Sequence, residues 1–234
     1  MKKKNLNQCL LLILICSVCF AGEVYGQKKD FANLERYAKD NAELPALAKK
    51  EKRVVFLGNS ITEGWVRTHP DFFKANGYIG RGISGQTSYQ FLLRFREDVI
   101  KLSPSLVVIN AGTNDVAENT GPYNEDYTFG NIVSMVELAK ANNIKVILTS
   151  VLPAASFKWN QAITDAPQKI EALNARIEAY AKSHKIPFVN YYGPMVVAAD
   201  KSLNSEYTQD GVHPTPAGYD VMEGLIKTVV EKER

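Results

Sequence analysis

Cysteine is scarce in this chain. It occurs three times in 234 residues, at Cys9, Cys16 and Cys19, and nowhere beyond. Everything after Cys19 therefore lacks a thiol nucleophile, a disulfide and a cysteine metal ligand. Histidine is equally rare, at His69, His184 and His213, which confines imidazole chemistry to three positions. An excess of one charge is missing too. Lys+Arg 28 against Asp+Glu 25 leaves a formal net charge of +3, too small to argue for a nucleic-acid partner. No repeat or low-complexity tract is present. The composition, 45% hydrophobic and 23% charged, is that of an ordinary globular protein, and the length suits one domain with a sizeable core.

A long hydrophobic run is also lacking. The most apolar stretch, Cys9–Phe20 (CLLLILICSVCF), falls short of the roughly 20 residues that a helical membrane span needs. Lys2-Lys3-Lys4 precede it, and Val24-Tyr25-Gly26 follow with small residues suited to cleavage. A positive region, an apolar region and such a site make a secretory signal peptide, expected over residues 1–26 with cleavage before Gln27. An uncleaved anchor is the alternative. Ile15 precedes Cys16 and Val18 precedes Cys19, where lipidation requires a small residue, so a lipid anchor is not expected. Losing this segment removes every cysteine together with three lysines and Glu23, and lowers the formal charge from +3 to +1. The expectation is one near-neutral domain over 27–234, exported to the periplasm or beyond and stabilised by its core alone.

Asp30–Lys50 reads as charged and helical, broken near Pro45. Beyond it, short apolar runs alternate with longer amphipathic segments. The runs are Arg53–Leu57, Leu106–Asn110, Lys145–Ser150 and Pro187–Asn190, with a weaker one at Tyr78–Gly82. Continuous Val, Ile and Phe suit strands buried on both faces of a parallel sheet. Helices are expected at Ser88–Leu102, at Tyr127–Asn142 with an Asn stop, at Pro167–His184, and at Thr215–Glu231 with Thr215 as N-cap and Pro216 first. Such alternation predicts an open α/β sheet with right-handed crossovers. Sites in such sheets form at the carboxyl ends of strands.

Small and polar residues gather at those ends. The first strand stops at Gly58-Asn59-Ser60, where serine can cap a helix or serve as a nucleophile. Gly82-Ile83-Ser84-Gly85-Gln86-Thr87 follows the second strand. Asn110-Ala111-Gly112-Thr113-Asn114-Asp115 follows the third, and Asp210-Gly211-Val212-His213-Pro214 precedes the last helix. A nucleophilic Ser60 needs a base. His69 is expected in a loop, Thr68-His69-Pro70, without an acid to orient it, and His184 sits near a helix C-terminus, where the macrodipole suits it. His213 has Asp210 three residues earlier, close enough to hold its Nδ1 while Nε2 faces Ser60. Gly85 N–H, the Asn114 amide and Ser60 N–H are candidate oxyanion donors. Each has a plainer reading as turn, cap or surface residue, but together they complete an acyl-transfer set.

These blocks resemble those of the SGNH hydrolases of the GDSL esterase/lipase superfamily. GNSIT matches the first block at Ser60, GISGQTS the second at Gly85, GTND the third at Asn114, and DGVHPTPAGY the last at Asp210 and His213. The resemblance implies a flavodoxin-like three-layer α/β/α sandwich with a central parallel sheet of about five strands. It implies a Ser-His-Asp ester hydrolase without cofactor or metal, acting through an acyl-enzyme on Ser60. Asn59 departs from the family's usual Asp before the serine; either side chain can bond the backbone of the turn.

Export argues against a cytosolic coenzyme A thioester, and the absence of a long apolar lid against insoluble triglyceride. Phe157 and Trp159, on the loop after the fourth strand, can form an aromatic wall for a sugar or can simply pack that long loop. The expected substrate is a short acyl ester, chiefly acetyl on carbohydrate. The alternatives are a lysophospholipase or an esterase similar to platelet-activating-factor acetylhydrolases, and a non-catalytic carbohydrate-binding module. A flavin or phosphate binder uses the same sheet edge but needs a glycine-rich cradle that the first loop lacks.

Overall fold

The computed structural model describes residues 30–46 and 52–234, so the expected signal segment lies outside the described residues. The chain divides into two units, Met1–Phe31 and Ala32–Arg234. The first lies almost wholly outside the described residues, and the second carries the fold.

Five strands form one parallel sheet: β1 (Val54–Gly58), β2 (Tyr78–Gly82), β3 (Leu106–Ile109), β4 (Lys145–Thr149) and β5 (Phe188–Val189). Their spatial order is β2-β1-β3-β4-β5. Val54 stands opposite Tyr78 on one side and Leu106 on the other, and Leu106 opposite Lys145. Chain order reverses across β1, so β1 and β3 run side by side with their crossovers on opposite faces. In sheets of this kind ligands bind at such a switch point, outside the carboxyl ends of the strands.

Alternate residues of each strand feed two cores. Val55, Leu57, Val107, Ile109, Val146 and Leu148 face one side. There they meet α4 (Ser88–Asp98), α6 (Glu125–Ala141) and α7 (Ala166–Ser183) through Phe91, Phe95, Met135 and Ile170. Val54, Phe56, Leu106, Val108 and Ile147 face the other. They meet α2 (Ser60–Thr68), α3 (Pro70–Asn76) and α9 (Pro216–Glu233) through Ile61, Trp65, Phe73 and Ile226. With both faces covered, the strands need apolar residues at every position, which explains their unbroken Val/Ile runs. The three-layer sandwich is the expected one.

The helix boundaries follow local chemistry. Thr87 and Gln90 form a capping box at the start of α4, and Asn124 caps α6. Thr215 caps α9 with Pro216 in the first turn, as its Thr-Pro start predicts. Asn143 takes φ 59 just beyond α6, matching the expected left-handed stop. Where Ser88–Leu102 reads as one helix, α4 ends at Asp98 and a 3-10 turn takes Ile100–Leu102. The charged stretch after Asp30 forms a 3-10 turn, Leu34–Tyr37, and the short α1 (Ala38–Ala42). Three further short helices have no periodicity long enough to announce them: α3, α5 (Thr113–Val116) and α8 (Tyr192–Met195).

Candidate active site

The site grows from the β1–α2 junction. The helix cap here is Asn59: its Oδ1 accepts the Ile61 N–H at 2.9 Å. Ser60 is the first helical residue, so its hydroxyl is not consumed in capping and is available for other chemistry. Asn in place of the family's commoner Asp therefore keeps the capping function. Gly82 lets α2 lie this close to β2. A Cβ there would come within 2.2 Å of Glu63 N and 2.6 Å of Asn59 O, both backbone atoms with little room to retreat.

Ser60 Oγ lies 2.8 Å from His213 Nε2, although 153 residues separate them. His213 Nδ1 lies 2.6 Å from Asp210 Oδ2. The other carboxylate oxygen, Oδ1, accepts the backbone N–H groups of Val212 and His213 at 2.9 and 2.8 Å. Burial pushes the Asp210 carboxyl up, but the His213 N–H, the imidazole and the Val212 N–H outweigh it and hold the carboxyl at about 2. Asp210 is thus ionised at any working pH, and its charge fixes the Nδ1–H tautomer, leaving Nε2 to accept from Ser60. The His213 and Asp210 side chains are 39% and 41% exposed, so the site is open rather than enclosed.

The expected oxyanion donors follow the ends of β2 and β3, the two neighbours of β1 in the sheet. Gly85 turns at φ 78, a left-handed conformation that glycine adopts without penalty. Asn114 lies on α5, buried, and its Nδ2 donates one hydrogen bond to Gln86 O at 2.9 Å. The amide has a second N–H to offer. Asp115 beside it accepts from the Ser88 N–H and hydroxyl and the Thr128 hydroxyl. Burial pushes its carboxyl up, and the Ser88 hydrogen bonds oppose that rise. Asp115 in this way clamps the Asn114 turn to the start of α4.

Phe157 does not stand in the site. It is fully buried in the core, because its ring packs beneath Trp159 with centroids 5.2 Å apart. Of the two aromatics expected to form a wall, only Trp159 is exposed, at 48%, with its ring centroid 6.3 Å from that of His213. His69 also corrects an expectation. An acid does lie beside it: Glu223 of α9 reaches its Nδ1 at 2.7 Å and also accepts the Trp65 indole N–H at 2.8 Å. That pairing joins α2 to α9. His184 caps the end of α7, its Nδ1 2.9 Å from Tyr180 O.

One residue central to the site carries no signal in the sequence. Arg94, in the middle of α4, is completely buried and paired with Asp98 at 2.9 Å. Its guanidinium donates to Gly58 O, Arg81 O and Gln86 Oε1, which ties together the ends of β1 and β2 that carry Ser60 and Gly85. An arginine four residues from an aspartate reads from sequence as an exposed helical ion pair.

A five-stranded parallel sandwich, with a serine, an imidazole and a carboxylate in hydrogen-bonded series at its strand ends, defines a serine hydrolase class. The chain belongs to the GDSL-like lipase/acylhydrolase family, which it matches over residues 56–221; it is a carboxylic ester hydrolase. It is similar to the crystal structure of a GDSL-like lipase from Bacteroides thetaiotaomicron, with 78% identity and a TM-score of 0.87, covering 88% of this chain and 100% of that one. Esterase TesA of Pseudomonas aeruginosa is 27% identical over 165 residues, 69% of this chain and 75% of its own length. An uncharacterized lipoprotein of Bacillus subtilis, YqeF, is 30% identical over 221 residues, 74% of this chain and 87% of its own. Among the described residues no helix is long and apolar enough to cross a membrane.

Proposed function

We propose that the protein is an exported esterase that removes short acyl groups, chiefly acetyl, from carbohydrate through an acyl-enzyme on Ser60. The observation that carries the mechanism is the unbroken Ser60–His213–Asp210 series, with contacts of 2.8 and 2.6 Å. Ser60 Oγ attacks the ester carbonyl carbon while its proton passes to His213 Nε2. Asp210 holds the ring and stabilises the imidazolium. The oxyanion accepts from the N–H groups of Ser60 and Gly85 and the Asn114 amide. Collapse breaks the bond to the alcohol, which takes the proton from His213. Water then attacks the acyl-serine with His213 as base, releasing the acid and restoring Ser60.

The substrate reading draws on the openness of the site. Side chains about 40% exposed suit a large hydrophilic alcohol that stays in solvent, with one small acyl group at Ser60. Trp159 at the rim offers a ring face to a sugar. The signal-like first 26 residues and the likeness to a lipoprotein support export.

The test is initial rates of the purified protein on p-nitrophenyl esters of graded acyl length, acetylated oligosaccharides and lysophospholipids. Acetyl esters are expected to turn over fastest, and Ser60→Ala to lower kcat about 10⁶-fold at an unchanged Tm. Faster turnover of lysophospholipids or long acyl chains would sink the carbohydrate reading, and full activity in Ser60→Ala would sink the mechanism.

A further inference from the structure

Asn119, on the loop after α5, ties three parts of the site together. Its backbone N–H donates to Asn114 O at 3.0 Å. Its Nδ2 donates to Gly85 O at 3.0 Å, and its Oδ1 accepts the Trp159 indole N–H at 2.9 Å. A carbonyl only accepts and an indole N–H only donates, so one orientation of the amide satisfies both partners and the flipped one satisfies neither.

The Gly85 end of this arrangement is held from two directions. The Ser84 N–H on the preceding peptide donates to Glu63 Oε2 at 3.0 Å. Glu63 sits one turn after Ser60 on α2, and its other oxygen pairs with Arg36 at 3.1 Å. The peptide carrying the Gly85 N–H is thus slung between Glu63 on the nucleophile's helix and Asn119 on the Asn114 loop. At φ 78 Gly85 has no side chain to restrain it, so these two anchors set where its N–H points. The Trp159 end matters for a different reason. The ring is exposed and leans toward His213, which must protonate the departing alcohol. Trp159 therefore borders the path by which that alcohol enters and leaves.

We infer that Asn119 is a positioning residue that aligns the Gly85 oxyanion donor with the Trp159 wall. Through its two side-chain arms it couples stabilisation of the acyl oxyanion to recognition of the alcohol. The inference rests on Ser60 as nucleophile and Gly85 as oxyanion donor, and it assigns the selectivity of the site to a side chain that touches no reacting atom.

The two arms are separable. Asn119→Asp keeps an acceptor for Trp159 but loses the donor to Gly85 O and sets a carboxylate against that carbonyl. Trp159→Phe keeps a ring but removes the indole N–H. Steady-state rates on p-nitrophenyl acetate and on an acetylated oligosaccharide, normalised to reactive serine by burst titration, read the two effects. Asn119→Asp is expected to lower kcat about 10- to 100-fold on both substrates at little-changed KM, as misplaced catalytic groups do. Trp159→Phe is expected to raise KM for the oligosaccharide about threefold or more while leaving that for p-nitrophenyl acetate nearly constant. In an Asn119→Ala background the Trp159→Phe effect should largely vanish, since the arm it cuts is already gone. Normalised kcat within about twofold of wild type in both Asn119 variants would overturn the proposal, as would a fully additive double variant. Loss of reactive serine together with a lowered Tm would reduce Asn119 to a structural link and overturn it as well. Failure of the underlying reading looks different: the wild-type protein itself would show no burst.

Discussion

Asn59 and Ser60 divide between them two tasks that sequence alone would let either perform. Asn59 caps α2, and the free hydroxyl of Ser60 meets His213. The same economy governs Asp210, whose one oxygen orders the backbone of its loop while the other holds the imidazole. Asp210→Asn would keep the first contact and spoil the second, because an amide N–H facing Nδ1 stabilises the wrong tautomer. A fall in kcat of about 10⁴-fold with an intact fold is expected, measured by steady-state kinetics beside circular dichroism. Tyr191 makes a contrasting case. It is completely buried, burial pushes its phenol up, and its hydroxyl has no partner among the described residues. Tyr191→Phe deletes an unpaired polar group without opening a cavity, so it should raise stability by about 1 kcal/mol, read from the urea midpoint.

At the scale of elements, the strand ends are held by polar contacts rather than by the apolar core. Arg94 draws the last carbonyl region of β1 toward that of β2, and Asp115 locks the β3 loop to the start of α4. Asp98 answers Arg94 and also accepts from Asn41 on α1. Arg94→Met would leave the buried Asp98 charge without its cation and take a donor from three interior acceptors, and should cost about 3–5 kcal/mol, visible as a lowered denaturant midpoint. Activity per folded molecule should fall as well, because Gly85 and Ser60 lose their common tie. The five strands and four long helices were legible from apolar runs and caps, since those patterns are local. The short helices and Arg94 were not: a four-residue helix has no period, and an arginine's burial depends on what packs over it.

Over the whole molecule, the site is built from loops at the carboxyl edge of one sheet, and the charge on Asp210 shapes its response to pH. The Asp210 carboxyl is held from its ordinary 3.8 down to about 2, so it stays ionised throughout the working range. The acid limb of kcat/KM should therefore not follow protonation of the Asp210 carboxylate. For folding, a depressed carboxyl favours the native state above its unfolded value, and the advantage fades as pH falls toward the folded one. The Tm difference between wild type and Asp210→Asn is accordingly expected to be present at pH 7 and to shrink below about pH 4, vanishing near pH 2. A difference that grows with acidity would contradict the charge assignment. Differential scanning fluorimetry across that range decides it.

What the sequence determined by itself was the fold class, the strand-end blocks and the candidates for nucleophile, base and orienting acid. Buried parallel strands demand unbroken apolar runs, and acyl transfer demands a small set of residue types. Tertiary structure alone decided that Phe157 lies in the core while Trp159 faces solvent. It also paired His69 with Glu223 across 154 residues and brought Asn119 between Gly85 and Trp159. Each of these depends on contacts between segments far apart in the chain, and neither composition nor period records which distant side chain will cover which.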